Sequence, residues 1–325
     1  MSPPRFLALV GPTASGKTEL ALAVARFLPA EIVSMDSRQV YRGMDVGTAK
    51  PSAAERARVP HHGLDRVDPD ERYSAGRFAR EARGWIREIG ARGRVPLLVG
   101  GTGFFLRALV EPVFAEPEME RDRVDALRRW LARQPRGDLE AWVRRLDPAR
   151  AELAAQGGPQ RLSRTLEVAL LTGRPLSKWH RTAPPDGEGV EGVVVRLELP
   201  REELDRRIGL RVRRMVEEGL VAEVERLLAQ GYGPEAPGMS GVGYREVAAH
   251  VWGECTLEAA MAQAAAATRR YARRQLTWLR NQLGPDAVAL DATLPLPRRV
   301  EAVLSAWRAR GGAAPGTTTQ GEEDG

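Results

Sequence analysis

Phe6-Leu7-Ala8-Leu9-Val10-Gly11-Pro12-Thr13-Ala14-Ser15-Gly16-Lys17-Thr18 decides the fold. Five apolar residues without polar alternation read as a strand buried on both faces. The turn after them satisfies G-x-x-x-x-G-K-[ST] at every position. Thr18 to Leu28 then reads as a helix, and Glu31-Ile32-Val33-Ser34-Met35 as a second buried strand that ends at Asp36. Strand, helix, strand in this order is the repeating unit of an α/β fold with a parallel sheet.

The residue types in the turn have a physical reason. Glycines let backbone N–H groups turn inward around phosphate oxygens, and the start of the following helix adds positive partial charge. Gly11, Pro12, Thr13, Ala14, Ser15, Gly16, Lys17 and Thr18 are therefore the expected diphosphate or nucleotide site, with Lys17 as a point charge and Thr18 as a Mg²⁺ ligand. The chain holds 46 Arg but only three Lys, at 17, 50 and 178, so a lysine at this position stands out from its background. ATP is the default ligand of such a loop. Yet no strand convincingly matches the pattern of four apolar residues ending in the Asp that holds Mg²⁺ through a hydrolytic cycle. The best acidic strand end is Asp36, and a carboxylate there either binds Mg²⁺ or accepts a proton.

Working outward, Val95-Pro96-Leu97-Leu98-Val99 is a further buried strand, running into Gly100-Gly101-Thr102-Gly103. One edge of the sheet thus gathers residues 11–18, 36 and 102, where ligands bind in open α/β sheets. Residues 1–112 form the first part of this core. From 113 to 190 the pattern changes to charged amphipathic helices, such as Val124 to Ala132 and Leu162 to Leu171, an expected helical insertion. Residues 191–310 return to the core with the strand Val193 to Leu197, the helix Arg201 to Glu218 stopped by Gly219, and a long helix from Leu257 to Leu283. Residues 311–325 read as a disordered tail.

At 325 residues, 43% hydrophobic and 28% charged, the chain buries a full core. A formal charge of +6 suits an anionic partner. One cysteine, Cys255, rules out an intrachain disulfide, and four scattered His give no zinc spacing. No apolar stretch is long enough to span a bilayer or suggests export, so a monomer in the reducing cytoplasm is the expectation.

The stretches Gly11 to Thr18, Asp36-Ser37-Arg38-Gln39-Val40-Tyr41, Asp45-Val46-Gly47-Thr48-Ala49-Lys50-Pro51 and Leu97 to Gly103 closely resemble the hallmarks of tRNA dimethylallyltransferases, in the same order. The resemblance continues through Pro159 to Arg164, Gly243-Tyr244-Arg245-Glu246 and Arg273 to Arg280, covering roughly residues 5 to 282. It implies a P-loop NTPase-like parallel sheet core with a helical insertion domain. It also implies that the loop grips dimethylallyl diphosphate with Mg²⁺ while tRNA delivers a flipped-out adenine from its anticodon stem-loop. Asp36 resembles the general base, Thr102 a residue at the reaction centre, and Arg211 a cation that stabilises the leaving diphosphate together with Lys17. Ser37, Arg38, Gln39, Arg121, Gln160, Arg161, Leu162, Ser163, Arg164, Gly243, Tyr244 and Arg245, with Asp36 and Thr102, resemble tRNA contacts.

Chemically these roles are sensible. An exocyclic adenine amine is a poor nucleophile, and a carboxylate that accepts its proton removes charge as the C–N bond forms. Arg269, Arg270, Arg273, Arg274 and Arg280 recur along one helix and suit a phosphate backbone, while Trp278 reads as core. From the residues alone two other functions stay open: an ATP-dependent small-molecule or nucleotide kinase, and a non-catalytic RNA-binding protein switched by a nucleotide.

Overall fold

Six parallel strands form one sheet in the order β3-β2-β4-β1-β5-β6. They are β1 (Phe6–Val10), β2 (Ala30–Ser34), β3 (His61–His62), β4 (Val95–Gly100), β5 (Gly192–Glu198) and β6 (Val288–Asp291). The computed structural model describes residues 6–115 and 117–312. The first strand is central because it is apolar at every position: Leu7 pairs in register with Leu97 of β4 on one side and Val193 of β5 on the other.

Alternation along each strand divides the core in two. Leu7, Leu9, Ile32, Leu97, Val195 and Leu197 pack against Leu20 and Val24 of the Lys17–Val24 helix and Val303 of the Leu296–Ala309 helix. Phe6, Ala8, Val33 and Leu98 face the other way, onto Phe78, Ile86 and Ile89 of the Ala75–Ala91 helix and Leu279 of the Leu257–Gln282 helix. Fully buried leucines such as Leu97 carry about 2–5 kcal/mol each against truncation to Ala. A third cluster sits at the sheet's C-terminal edge, where Val40, Tyr41 and Met44 meet Val224 and Leu227 of the Leu220–Ala229 helix and Tyr244.

The strands expected from the sequence are all present, each within a residue or two of its expected ends. The first helix begins at Lys17 and ends at Val24, four residues short of Leu28. Strands β3 and β6 were not expected: a two-residue His-His pair and a four-residue segment lie below the length at which period-two alternation is readable. Both are the sheet's edges.

The chain divides into two compact units, one made of the segments 1–111 and 189–325 and the other Pro112–Glu188. The second is a helical cluster, Arg121–Leu131, Arg136–Leu146, Ala151–Gln156, Pro159–Thr172 and Leu176–Thr182, around Leu131, Leu139, Val143, Ala154, Leu162 and Leu166. The expected tail from Gly311 lies, beyond Gly312, outside the described residues. Among those described, no helix is long and apolar enough to cross a membrane.

Candidate active site

The phosphate loop begins where β1 stops, and its backbone is set by two left-handed residues. Gly16 has φ 84° and leads directly into the Lys17–Val24 helix, whose first N–H groups have no side-chain cap. Ala14, at φ 63°, takes the same region without being glycine, a strain that functional turns store. The Lys17 ammonium folds over this loop, donating to Gly11 O at 3.0 Å, Pro12 O at 2.6 Å and Ser15 Oγ at 3.4 Å. Burial lowers its pKa from 10.5 to about 7; the Asp36 carboxylate opposes that fall and the Arg211 guanidinium adds to it.

Asp36 follows the end of β2 and is held by a local turn, its Oδ1 accepting from Arg38 N at 2.8 Å. Thr102 follows the end of β4 and reaches across to the same turn: its Oγ1 accepts from Ser37 N at 3.1 Å and donates to Ser37 Oγ at 3.4 Å. The two strand ends lie so close that a Cβ on Gly100 would fall 1.9 Å from Met35 O, so only glycine fits there. Tyr271, from the Leu257–Gln282 helix, shares a hydrogen bond with Thr102; burial and then the nearby Asp36 charge push its phenol up to about 12.

A cavity of about 910 Å³ opens over these elements, walled by Thr13 to Thr18, Asp36, Gln39, Asp45 and Arg211 among others. Ser37, Arg38 and Thr102 are tied into the turn that carries Asp36. Arg211 comes from the Arg201–Glu217 helix and donates to Thr48 O at 3.4 Å, with Arg207 and Arg214 of that helix on the same wall. Thus the structure brings Lys17, Thr18, Asp36 and Arg211, which lie far apart in sequence, onto one concave surface.

Gln275 reaches into this region from the long helix. Its Oε1 accepts from Thr13 N at 2.9 Å and its Nε2 donates to Gly101 O at 3.0 Å. Glu223 does similar work on the segment after Tyr41: this 7%-exposed carboxylate accepts from Asp45 N (2.8 Å), Val46 N (2.9 Å), Gly47 N (3.0 Å) and the Tyr244 hydroxyl (2.6 Å). Lys50 closes that loop by donating to Tyr41 O (2.5 Å), Asp45 Oδ1 (2.8 Å) and Asp65 Oδ1 (2.5 Å). Neither Gln275 nor Glu223 was singled out from sequence, and an amide or acid inside an amphipathic helix carries no local signal of such partners.

Several residues expected at the RNA make bonds within the fold. Tyr244 is 1% exposed with its hydroxyl committed to Glu223, so its side chain is not presented to a partner. Gln39 spends its amide on Ser34 Oγ (2.8 Å) and on the carbonyls of Thr48 (3.3 Å) and Ala49 (3.1 Å). Leu162 is fully buried in the core of the helical unit. Arg164, with Arg128, is paired to the buried carboxylate of Glu167. Arg38 donates to Pro237 O at 2.8 Å, and Gly243, at φ 97°, starts the Tyr244–Val251 helix. Arg245 is exposed beside Glu246; in the helical unit Gln160 and Arg161 are exposed, Ser163 is half-buried, and Arg121 lies 3.9 Å from Asp125.

Among the described residues no group of three His, Cys, Asp or Glu side chains stands ready to hold a metal alone. The Thr18 hydroxyl and the Asp36 carboxylate are hard oxygen donors on one cavity wall. That small set fits Mg²⁺, which takes one or two protein oxygens and completes its shell from phosphates and water.

Comparison with known proteins agrees with this geometry. The IPP transferase family model matches residues 39–282, and an isopentenyl transferase model matches residues 4–66. The tRNA dimethylallyltransferase of Roseiflexus sp. (strain RS-1) is 42% identical over 308 residues, 93% of this chain and 98% of that protein. A tRNA dimethylallyltransferase of Geotalea uraniireducens is 44% identical over 84% of this chain and 88% of its own length. Among solved structures, the tRNA isopentenylpyrophosphate transferase of Bacillus halodurans superposes with TM-score 0.66 at 33% identity, covering 95% of this chain and 99% of that one. A eukaryotic dimethylallyltransferase acting on tRNA superposes with TM-score 0.77 at 25% identity, covering 96% and 81%. With its P-loop NTPase-like sheet and this similarity along nearly its whole length, the chain belongs to the tRNA dimethylallyltransferase (IPP transferase) family.

Proposed function

We infer that this protein transfers the dimethylallyl group of dimethylallyl diphosphate to the exocyclic N6 amine of the adenine 3′-adjacent to a tRNA anticodon, releasing diphosphate. The observation that carries the reading is the meeting of Lys17, Arg211 and Asp36 on one cavity, cations for a diphosphate beside a carboxylate for a proton. Backbone N–H groups from Ala14 to Thr18 and the Lys17 ammonium hold the diphosphate, and Arg211 approaches it from the Arg201–Glu217 helix. Mg²⁺, held through Thr18 and phosphate oxygens, supplies further neutralisation of the leaving group.

Because the Asp36 Oδ1 is engaged by Arg38 N, its Oδ2 is the oxygen that takes the N6 proton. As the C–N bond forms, the prenyl C–O bond breaks and its electron pair leaves with diphosphate. Thr102, at the reaction centre by resemblance, is bonded to Ser37 beside Asp36 and steadies the acceptor side. Exposed Gln160 and Arg161, with Arg121 on its own helix, are the groups of the helical unit suited to the anticodon stem-loop. The reading includes a monomer working in the cytoplasm, consistent with a single cysteine.

The test is incubation of purified protein and Mg²⁺ with labelled dimethylallyl diphosphate and unmodified tRNA carrying adenines at the anticodon's third position and just after it. Label in adenosine after digestion, with diphosphate released in equal amount, is the expected result. Folded protein that leaves tRNA unlabelled and transfers phosphate from ATP would establish a kinase instead.

A further inference from the structure

We propose that Gln275 is a positioning residue for prenyl transfer, a brace that fixes the diphosphate loop at a set distance from the turn carrying the acceptor machinery. The proposal rests on the transferase reading above. Both ends of the carboxamide are used: Oε1 accepts from Thr13 N in the phosphate loop and Nε2 donates to Gly101 O, the residue before Thr102. The side chain is 8% exposed, so these bonds form away from competing water.

The surroundings leave the amide no other place. A Cβ on Gly101 would lie 2.2 Å from Gln275 Nε2 and 2.9 Å from Gly11 O, so glycine at 101 is what lets the helix side chain pass between the two loops. Gly101 N-terminally adjoins Thr102, whose Oγ1 accepts from Ser37 N and so anchors the Asp36–Arg38 turn. A continuous chain of short contacts therefore runs from Thr13, through Gln275 and Gly101, to Thr102 and Asp36. Its two ends are the elements that hold donor and base.

The bond to Thr13 has a second effect. It commits the Thr13 N–H of the phosphate loop to protein, so that part of the loop is fixed before a ligand arrives. Gln275 and Gly101 also line the cavity, but both ends of the carboxamide are spent on backbone. The brace acts on the separation of two bound groups, and an error of about 1 Å in such a separation costs roughly 100-fold in rate.

The experiment compares wild type with Q275M, which keeps volume and length but can neither donate nor accept as the amide does. Single-turnover prenylation is measured with both tRNA and dimethylallyl diphosphate saturating, and the Kd of each substrate is measured separately. The expected result is a 10- to 100-fold fall in the single-turnover rate with both Kd values within threefold of wild type. A wild-type rate in Q275M overturns the proposal, as does a fall in rate matched by an equal loss of diphosphate affinity. Should Q275M not fold, Gln275→Asn keeps a neutral amide but is one methylene too short to reach both loops, and the same split is expected of it. Absence of transfer by wild-type protein would sink the transferase reading itself, whereas a difference confined to the variants isolates the brace.

Discussion

Raising the pH from 7 to 9 should weaken donor binding by an amount that Lys17 sets. Burial takes its ammonium from 10.5 to about 7, so at neutrality the free protein holds this lysine about half protonated. At about 1.4 kcal/mol per tenfold, charging Lys17 costs roughly 5 kcal/mol more than charging a lysine in water. A diphosphate beside Nζ repays part of that cost and raises the pKa, so binding above pH 7 takes up a proton. The dissociation constant then rises by up to about tenfold per pH unit, roughly 100-fold across the interval. Titration calorimetry with dimethylallyl diphosphate alone, in two buffers of different ionisation enthalpy, reads proton uptake directly. It should approach one proton at pH 8–9. K17R keeps its charge throughout and should show neither the uptake nor the slope beyond the ligand's own ionisation. Equal pH dependence in wild type and K17R would refute the reasoning. Stability runs with the opposite sign. Between about pH 7 and 10.5 the unfolded chain carries a proton on Lys17 that the native protein does not, so this group's contribution to stability improves as pH rises through that window and is least favourable below it.

Three further outcomes can be measured. D36N retains the shape of the turn but lacks the proton acceptor, so single-turnover transfer should fall 10²- to 10⁴-fold while tRNA affinity measured by filter binding changes little; full activity would remove Asp36 as the base. E223A strands three backbone N–H groups and the Tyr244 hydroxyl, a loss of about 4 kcal/mol after relaxation, visible as faster amide hydrogen exchange at Asp45, Val46 and Gly47; unchanged protection there would contradict the assigned bonds. Gly47→Ala places a Cβ 2.5 Å from the Tyr244 ring and should cost about 1–3 kcal/mol in urea denaturation, but little when added to Tyr244→Ala and compared with that variant alone; an equal cost in both backgrounds would mean the strain lies elsewhere.

Legibility in the sequence follows the range of the interactions involved. The phosphate loop was readable because its pattern, its preceding apolar strand and its helix are contiguous, and Asp36 and Thr102 were readable because polar residues at the ends of buried strands mark the ligand edge of a parallel sheet. Glu223 carried no signal, and Gln275 stood only as one member of the Arg273–Arg280 stretch, for the opposite reason. Their partners lie 178 and 262 residues away, and nothing within one helical turn of either betrays the bond. Tyr244 and Leu162 were expected near RNA because their stretches resemble tRNA contacts, Leu162 for wedging or packing, yet an aromatic or aliphatic side chain is written identically whether it faces RNA or core; the placement of the Leu220–Ala229 helix and the packing within the helical unit bury both. Edge strands β3 and β6 are specified by the strands they add to, Ile32 pairing with His61 and Val195 with Val288, more than by their own residues.

The hydrogen bond from Thr13 to Gln275 also bears on the order in which the protein comes into being on the ribosome. Strand, turn and helix at the loop are contiguous and can close locally as soon as they are made. The carboxamide partner follows 262 residues later, in the Leu257–Gln282 helix. In the interval the nascent chain carries the loop without the tie to its neighbouring turn. A chain interrupted before residue 275 keeps the loop and lacks the tie, so the long helix completes what the first strand and turn begin.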